Sequence, residues 1–178
     1  MKKIIMLMVL LVSLVAAAQD KPLTYSEVIQ VEGKNQAEIF GGLREWVATS
    51  YANGKYVTQM EDAACGVIIL KAQFPFKKGG IYASYTGTVD YLLKLQSKDG
   101  RFRVEMSQIV HSVKKGNYEG SNLGLLTTSS ESGTSGFSKG PNNKIWKELK
   151  EKAADHFAEI ATSLKAFNNF NAETEEDW

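Results

Sequence analysis

Residues 81–106 read IYASYTGTVDYLLKLQSKDGRFRVEM, and a period of two within them decides the fold. Ile81, Ala83, Tyr85, Val89, Tyr91 and Leu93 fall on one side of an extended chain, and Ser84, Thr86, Thr88 and Asp90 on the other. That is the alternation of a strand in a sheet that is wet on one face. Lys98-Asp99-Gly100 then makes a hairpin turn, since Asp and Gly accept positive φ at low cost. The returning strand runs from Arg101 to about His111, with Phe102, Val104 and Met106 alternating against Arg103, Glu105 and Ser107.

Upstream lie two further strands, Tyr56 to Glu61 and Val67 to Phe74, with a turn at Asp62 to Gly66 and a stop at Pro75 and Lys77-Lys78-Gly79-Gly80. Ser26 to Glu32 is a fifth, β-branched strand ending at Gly33. Between it and the meander, Asn35 caps a helix over Gln36 to Tyr51, in which Ile39, Phe40, Leu43, Trp46, Val47 and Tyr51 recur at helical spacing. Gly41 and Gly42 cost that helix roughly 1 kcal/mol each against alanine, which suggests close packing on the sheet. A second helix, Lys144 to Phe167, carries a stripe of Ile145, Trp146, Leu149, Ala153, Phe157, Ile160, Leu164 and Phe167. The expected architecture is α+β: a five-stranded antiparallel sheet with two helices packed on one face. Residues 112–143, rich in Gly, Ser, Thr and Asn, are expected to form a flexible loop.

The amino terminus reads as a signal peptide. Lys2 and Lys3 precede an apolar run from Ile4 to Val15, and Ala16-Ala17-Ala18 supplies the small side chains of an A-x-A cleavage site. Cleavage is expected between Ala18 and Gln19, because the run is shorter than the roughly 20 residues that span a bilayer core. The chain then divides into a signal segment 1–18, one domain over 19–171 and an acidic tail 172–178. Export places the domain in the periplasm first, the outer surface or the extracellular space second. Without Lys2 and Lys3, the 21 basic and 20 acidic residues leave a formal net charge of about −1. Such a balance argues against nucleic acid as a partner.

The residues also resemble a known family. Gly66 to Phe74 (GVIILKAQF), Ser84 to Thr86 (SYT) and Lys98 to Arg103 (KDGRFR) leading into His111 are similar to DUF4468, exported domains of Bacteroidetes with a TBP-like fold. The likeness covers about Leu23 to Val113. It implies that fold and a Gram-negative envelope location, and it implies no activity.

Catalytic motifs are weak throughout. His111 and His156 lack further His or Cys at ligand spacing, so each reads as structural. Cys65 reads as a small residue filling a slot, without a visible base. Ser112 to Lys115 matches S-x-x-K at a strand end rather than a helix start, and the glycines of 116–140 lack a phosphate-loop ending. Glu151, Asp155 and Glu159 form a solvated helix face rather than an enclosing calcium site. No cofactor or metal is expected. The leading reading is a non-enzymatic binding module for an envelope protein or peptide, with Ser84, Thr86 and Thr88 on its open face. The alternative is a carrier of a small apolar ligand between sheet and helices, lined by Trp46, Tyr85, Trp146 and Phe157; a hydrolase is third.

Overall fold

A computed structural model describes residues 20–113, 116, 121–133 and 138–170, and no side chains at 168–170. Ala18, Gln19 and the acidic tail lie outside the described residues. The elements are β1 (Tyr25–Gln30), α1 (Gln36–Ser50), the short α2 (Gly54–Val57), β2 (Thr58–Asp62), β3 (Val67–Phe76), a 3-10 helix (Gly80–Tyr85), β4 (Gly87–Lys98), β5 (Arg101–Val113), β6 (Gly124–Leu125) and α3 (Lys139–Phe170). The strands form one antiparallel sheet of order β1-β5-β4-β3-β2, with β6 added on β5. It has six strands where five were expected, and the class is the same.

Both helices cover the sheet face that carries Leu70, Leu93, Leu95, Val104 and Met106, all fully buried. Asn35 caps α1 as expected: its side chain accepts from the Glu38 N–H, while the Glu38 carboxylate accepts from the Asn35 N–H. Trp46 of α1 donates its indole N–H to Ser163 Oγ of α3 at 3.0 Å, joining the two helices over the core. Gly42 is buried, whereas a Cβ at Gly41 would meet nothing within 4 Å, so close packing accounts for one of the pair.

β1 ends at Gln30 rather than Glu32, and β2 starts at Thr58 because Tyr56 and Val57 belong to α2; four further differences from the sequence reading bear on the site. Residues 81–85 are not strand, because Thr86 Oγ1 accepts from the Lys78 N–H and donates to the Lys78 carbonyl, closing residues 78–86 into a loop that holds the 3-10 turn. β4 therefore starts at Gly87, where a Cβ would fall 1.9 Å from the Ser112 carbonyl oxygen. β3 runs through Pro75 to Phe76; β2 pairs only with Val67 to Leu70, so the missing Pro75 N–H falls on an unpaired edge. α3 starts at Lys139, with Pro141 in its first turn, where a proline's missing N–H has no intrahelical partner to lose.

The fourth difference concerns the segment expected to be a flexible loop. Its first residues, Ser112 and Val113, finish β5, and residues 121–133 pack. Leu126 is fully buried, with its N–H on the Ile109 carbonyl and its carbonyl on the Leu23 N–H. β6 pairs with Val110 and His111, and Trp146 donates its indole N–H to the Ser129 carbonyl at 3.0 Å. Leu123 and Leu126, which pack on the core, and two side-chain anchors outweigh the surrounding polar composition.

β1 and β6 follow one another along one edge of β5, and a bulge separates them. The β4–β5 register shifts between Asp90 and Leu92, opposite Gln108, whose φ is +52°. Before the bulge Phe102, Val104 and Met106 point inward; after it Ile109 and His111 do. The extra residue reverses the alternation and so delivers His111 to the core. Gln108→Gly should raise stability by up to about 1 kcal/mol, because a left-handed φ is free of Cβ strain in glycine. Gln108→Val should lower it by about 1–2 kcal/mol. Urea melts of the three proteins check the order Gly, Gln, Val.

Candidate functional site

The open side of the sheet is built in cross-strand rows. Gln30, Arg101 and Lys98 form the row at the β4–β5 turn; Val28, Arg103, Gln96, Val67 and Asp62 the next; Ser26, Glu105, Lys94, Ile69 and Met60 the third. Ser107, Leu92 and Lys71, then Val110, Asp90 and Gln73, continue toward the far end. Apolar side chains interrupt the charges: Val28 and Met60 are each 44 % exposed, and Ile69, Leu92 and Val110 are half-buried. A notch of about 190 Å³ opens between Val28, Gln96, Lys98, Arg101 and Arg103.

Of the three residues expected on this face, the structure leaves only Thr88 there, paired with Ser112 and Pro75. Ser84 lies in the 3-10 turn, accepting a hydrogen bond from Ser121 Oγ at 2.9 Å, and Thr86 is occupied by Lys78. The residues the sequence reading missed, Arg101, Arg103, Lys98 and Val28, had a visible signal, since Arg101 and Arg103 occupy the polar phase of the strand quoted above.

The four aromatic residues expected to line one pocket are spread through separate contacts. Tyr85 is buried and donates its hydroxyl to Asn142 Oδ1. Trp46 meets Tyr51 edge-on at 5.8 Å between centroids, and Phe157 stacks on Tyr25 at 5.8 Å. Trp146 alone of the four borders a cleft, which Ser130 and Asn143, Lys147 and Lys150 of α3 also line. A larger cleft of about 670 Å³ lies elsewhere, between α1, α2 and the edge strand β2. Val47, Tyr51 and Ile68 contribute its apolar walls, and Arg44, bonded to Glu61 at 2.6 Å, its rim.

The ionisable groups inside are held by neighbours. Among the described residues no group of three or more His, Cys, Asp or Glu side chains gathers. Cys65 is exposed at the turn rather than filling a slot, and the Asp62 carboxylate beside it pushes the thiol's pKa up, which disfavours the reactive thiolate. His156 places Nε2 3.0 Å from the Tyr91 hydroxyl, and Tyr91 reaches Tyr51 at 3.5 Å. Burial raises the pKa of both tyrosines and lowers that of His156, against the opposing pull of Glu159. His111 is fully buried; the Leu123 N–H donates to Nδ1 at 3.3 Å, so Nε2 carries the proton and donates to the Tyr85 carbonyl at 3.0 Å.

The family model described as a domain of unknown function (DUF4468) with TBP-like fold matches residues 25–112. This stretch is a DUF4468 domain. Two solved structures share the fold. A TBP-like protein from Parabacteroides distasonis ATCC 8503 is 16 % identical with a TM-score of 0.58, covering 84 % of this chain and 97 % of its own. A DUF4468 family protein from Bacteroides ovatus ATCC 8483 is 18 % identical with a TM-score of 0.55, covering 83 % of this chain and 88 % of its own. No curated protein matches.

The DUF4468 match stops at Ser112, yet its core is closed by residues beyond it, Leu126 and the inner stripe of α3. His111 is the joint between the two parts. Desolvation lowers its pKa below the ordinary imidazole value of 6.5, with the Tyr85 hydrogen bond acting the other way. A depressed folded pKa contributes stability that is present above the unfolded value and lost as pH falls through the folded one. The melting temperature of the protein should therefore fall between pH 7.5 and pH 5. His111→Leu should start lower at pH 7.5 and show a shallower fall, as thermal melts across that range would show.

Proposed function

We propose that this protein is a non-enzymatic binding module of the cell envelope, exported by the signal segment 1–18 and engaging a protein or peptide through the open face of its sheet. The observation that carries the reading is that face itself. A sheet covered by helices on one side leaves Val28, Ile69, Leu92 and Met60 at least partly exposed among Lys and Arg on the other. Apolar spots within a polar surround are what a docking surface offers. The buried polar side chains, by contrast, are bonded within the fold: His111 to the Tyr85 carbonyl and the Leu123 N–H, Asn142 to the Tyr85 hydroxyl, Ser97 to the Gly66 carbonyl. That supports a structural use for the groups a hydrolase would need.

A photo-crosslinking residue at position 92 tests the reading in the intact envelope, with one at Lys152, on the outer side of α3, as control. Discrete adducts from position 92 and none from position 152 are expected. Equal labelling from both, or none from position 92, would overturn it.

A second reading is favoured by the cleft between α1 and β2. Its volume of about 670 Å³ falls in the range of small-molecule sites, and Val47, Tyr51 and Ile68 give it apolar walls. A small apolar ligand would enter at this sheet edge rather than among the aromatic residues of the core. Native mass spectrometry of protein isolated from the envelope should then show a retained mass that Ala48→Trp, which narrows the cleft, abolishes; unliganded protein alone would rule the carrier out.

A further inference from the structure

We infer that the notch at the turn end of the open face is a binding site for a phosphoryl group. The inference rests on the sheet-face reading above and names the chemistry of one end of that face. Lys98 and Arg101 are direct cross-strand partners, and Arg103 stands on the same face two residues along. Strand geometry puts Arg101 and Arg103 roughly 7 Å apart and Lys98 about 5 Å from Arg101. Neither row sets a carboxylate beside these cations: the first is Gln30–Arg101–Lys98, and the second, Val28–Arg103–Gln96, continues through Val67 to Asp62, three strands from Arg103, where the carboxylate accepts the Cys65 N–H at 2.9 Å. Among the described residues none of the three cations makes an ion pair.

The carboxylate next in the chain, Asp99, is turned away: its Oδ1 accepts the Gln36 N–H at the start of α1 at 2.8 Å. Glu105 is one row further, opposite Lys94 and Ser26. Like charges placed directly opposite in a sheet oppose its pairing. A near-neutral chain that nevertheless gathers three uncompensated cations around a notch of about 190 Å³ carries a local conflict that an anion resolves.

The donor set selects the anion. Two guanidinium forks and an ammonium present several N–H donors and three positive charges, with the Gln96 amide beside them. A carboxylate has two oxygens and one charge, and leaves most of these donors unmet. A phosphoryl group has three terminal oxygens and up to two charges, which suits bidentate arginine. Val28 supplies an apolar wall for the carbon-bearing side of a phosphate ester.

The test uses the mature chain at low salt, with sodium phosphate against sodium chloride at equal pH and ionic strength. Phosphate should raise the melting temperature where chloride does not. Arg103→Gln should weaken phosphate binding at least about tenfold. Lys98→Glu should melt higher than wild type in chloride, because it replaces the repulsive cross-strand pair with an attractive one, and should lose the response to phosphate. A response to phosphate no larger than to chloride, or one that survives both substitutions, would overturn the site.

Vesicles separate the sources of the phosphoryl group. Binding to phosphatidic acid in phosphatidylcholine, resistant to millimolar inorganic phosphate, would point to a lipid headgroup, and its displacement by inorganic phosphate to a soluble phosphate ester. Adducts at position 92 without a phosphate response would sink this inference alone. A phosphate response without adducts would sink only the protein-partner reading.

Discussion

The inner face of the β4–β5 hairpin is the constraint on which the rest of the structure depends. Val89, Leu93 and Leu95 on one strand and Val104, Met106 and Ile109 on the other are fully excluded from water. These two are the longest strands of the sheet, with 12 and 13 residues, and each of the remaining strands adds to one side of them. An apolar face of this size has to be covered, at roughly 25 cal/mol for each Å² removed from water. Both helices therefore share that face, and the other face remains available.

The alternation of β4 and β5 was legible because it is a local property: period two over a dozen residues permits little else. The helical stripes of α1 and α3 were legible for the same reason. What was not legible depended on contacts between distant residues. The 3-10 turn at 80–85 is set by a threonine binding back to Lys78, which alternation in 81–85 hides. The order in 121–133 depends on Trp146 and His111, 17 residues downstream and 12 upstream of the groups they hold. At the turn, only Gly100 takes positive φ, at +71°, while Asp99 uses its carboxylate on α1. The open face followed from the alternation, but its composition was misassigned because the strand was started too early. Moving the start of β4 to Gly87 removes Ser84 and Thr86 from the face and shifts attention to the arginines across the turn.

His111 shows how one irregularity in the sheet governs a remote packing event. Without the bulge at Gln108, the alternation of β5 would send residue 111 to the open face. With it, the imidazole enters the core and accepts the Leu123 N–H, and β6 can pair along the part of β5 that β1 leaves free. Residues 21–23 then bond to 126–128, so the beginning of the domain and the segment after β5 secure each other. The strain of a left-handed glutamine is thus local, while the order it permits extends from Lys21 to Thr128.

The fold name invites comparison with DNA binding, and the charge pattern on the open face argues in another direction. Affinity for duplex DNA grows with the number of phosphates neutralised, so it requires cations along the whole contact surface. Here three cations gather at one end, in the two rows nearest the β4–β5 turn. Further along, Glu105 faces Lys94, Lys71 stands in a row with Leu92 and Ser107, Asp90 lies between Val110 and Gln73, and Thr88 and Ser112 complete the far end without charge. A surface of this kind can compensate one phosphoryl group and then offers apolar and hydrogen-bonding contacts to whatever carries it. The near-zero net charge of the chain conceals this arrangement, because charge summed over a sequence contains no information about which side chains a hairpin brings face to face.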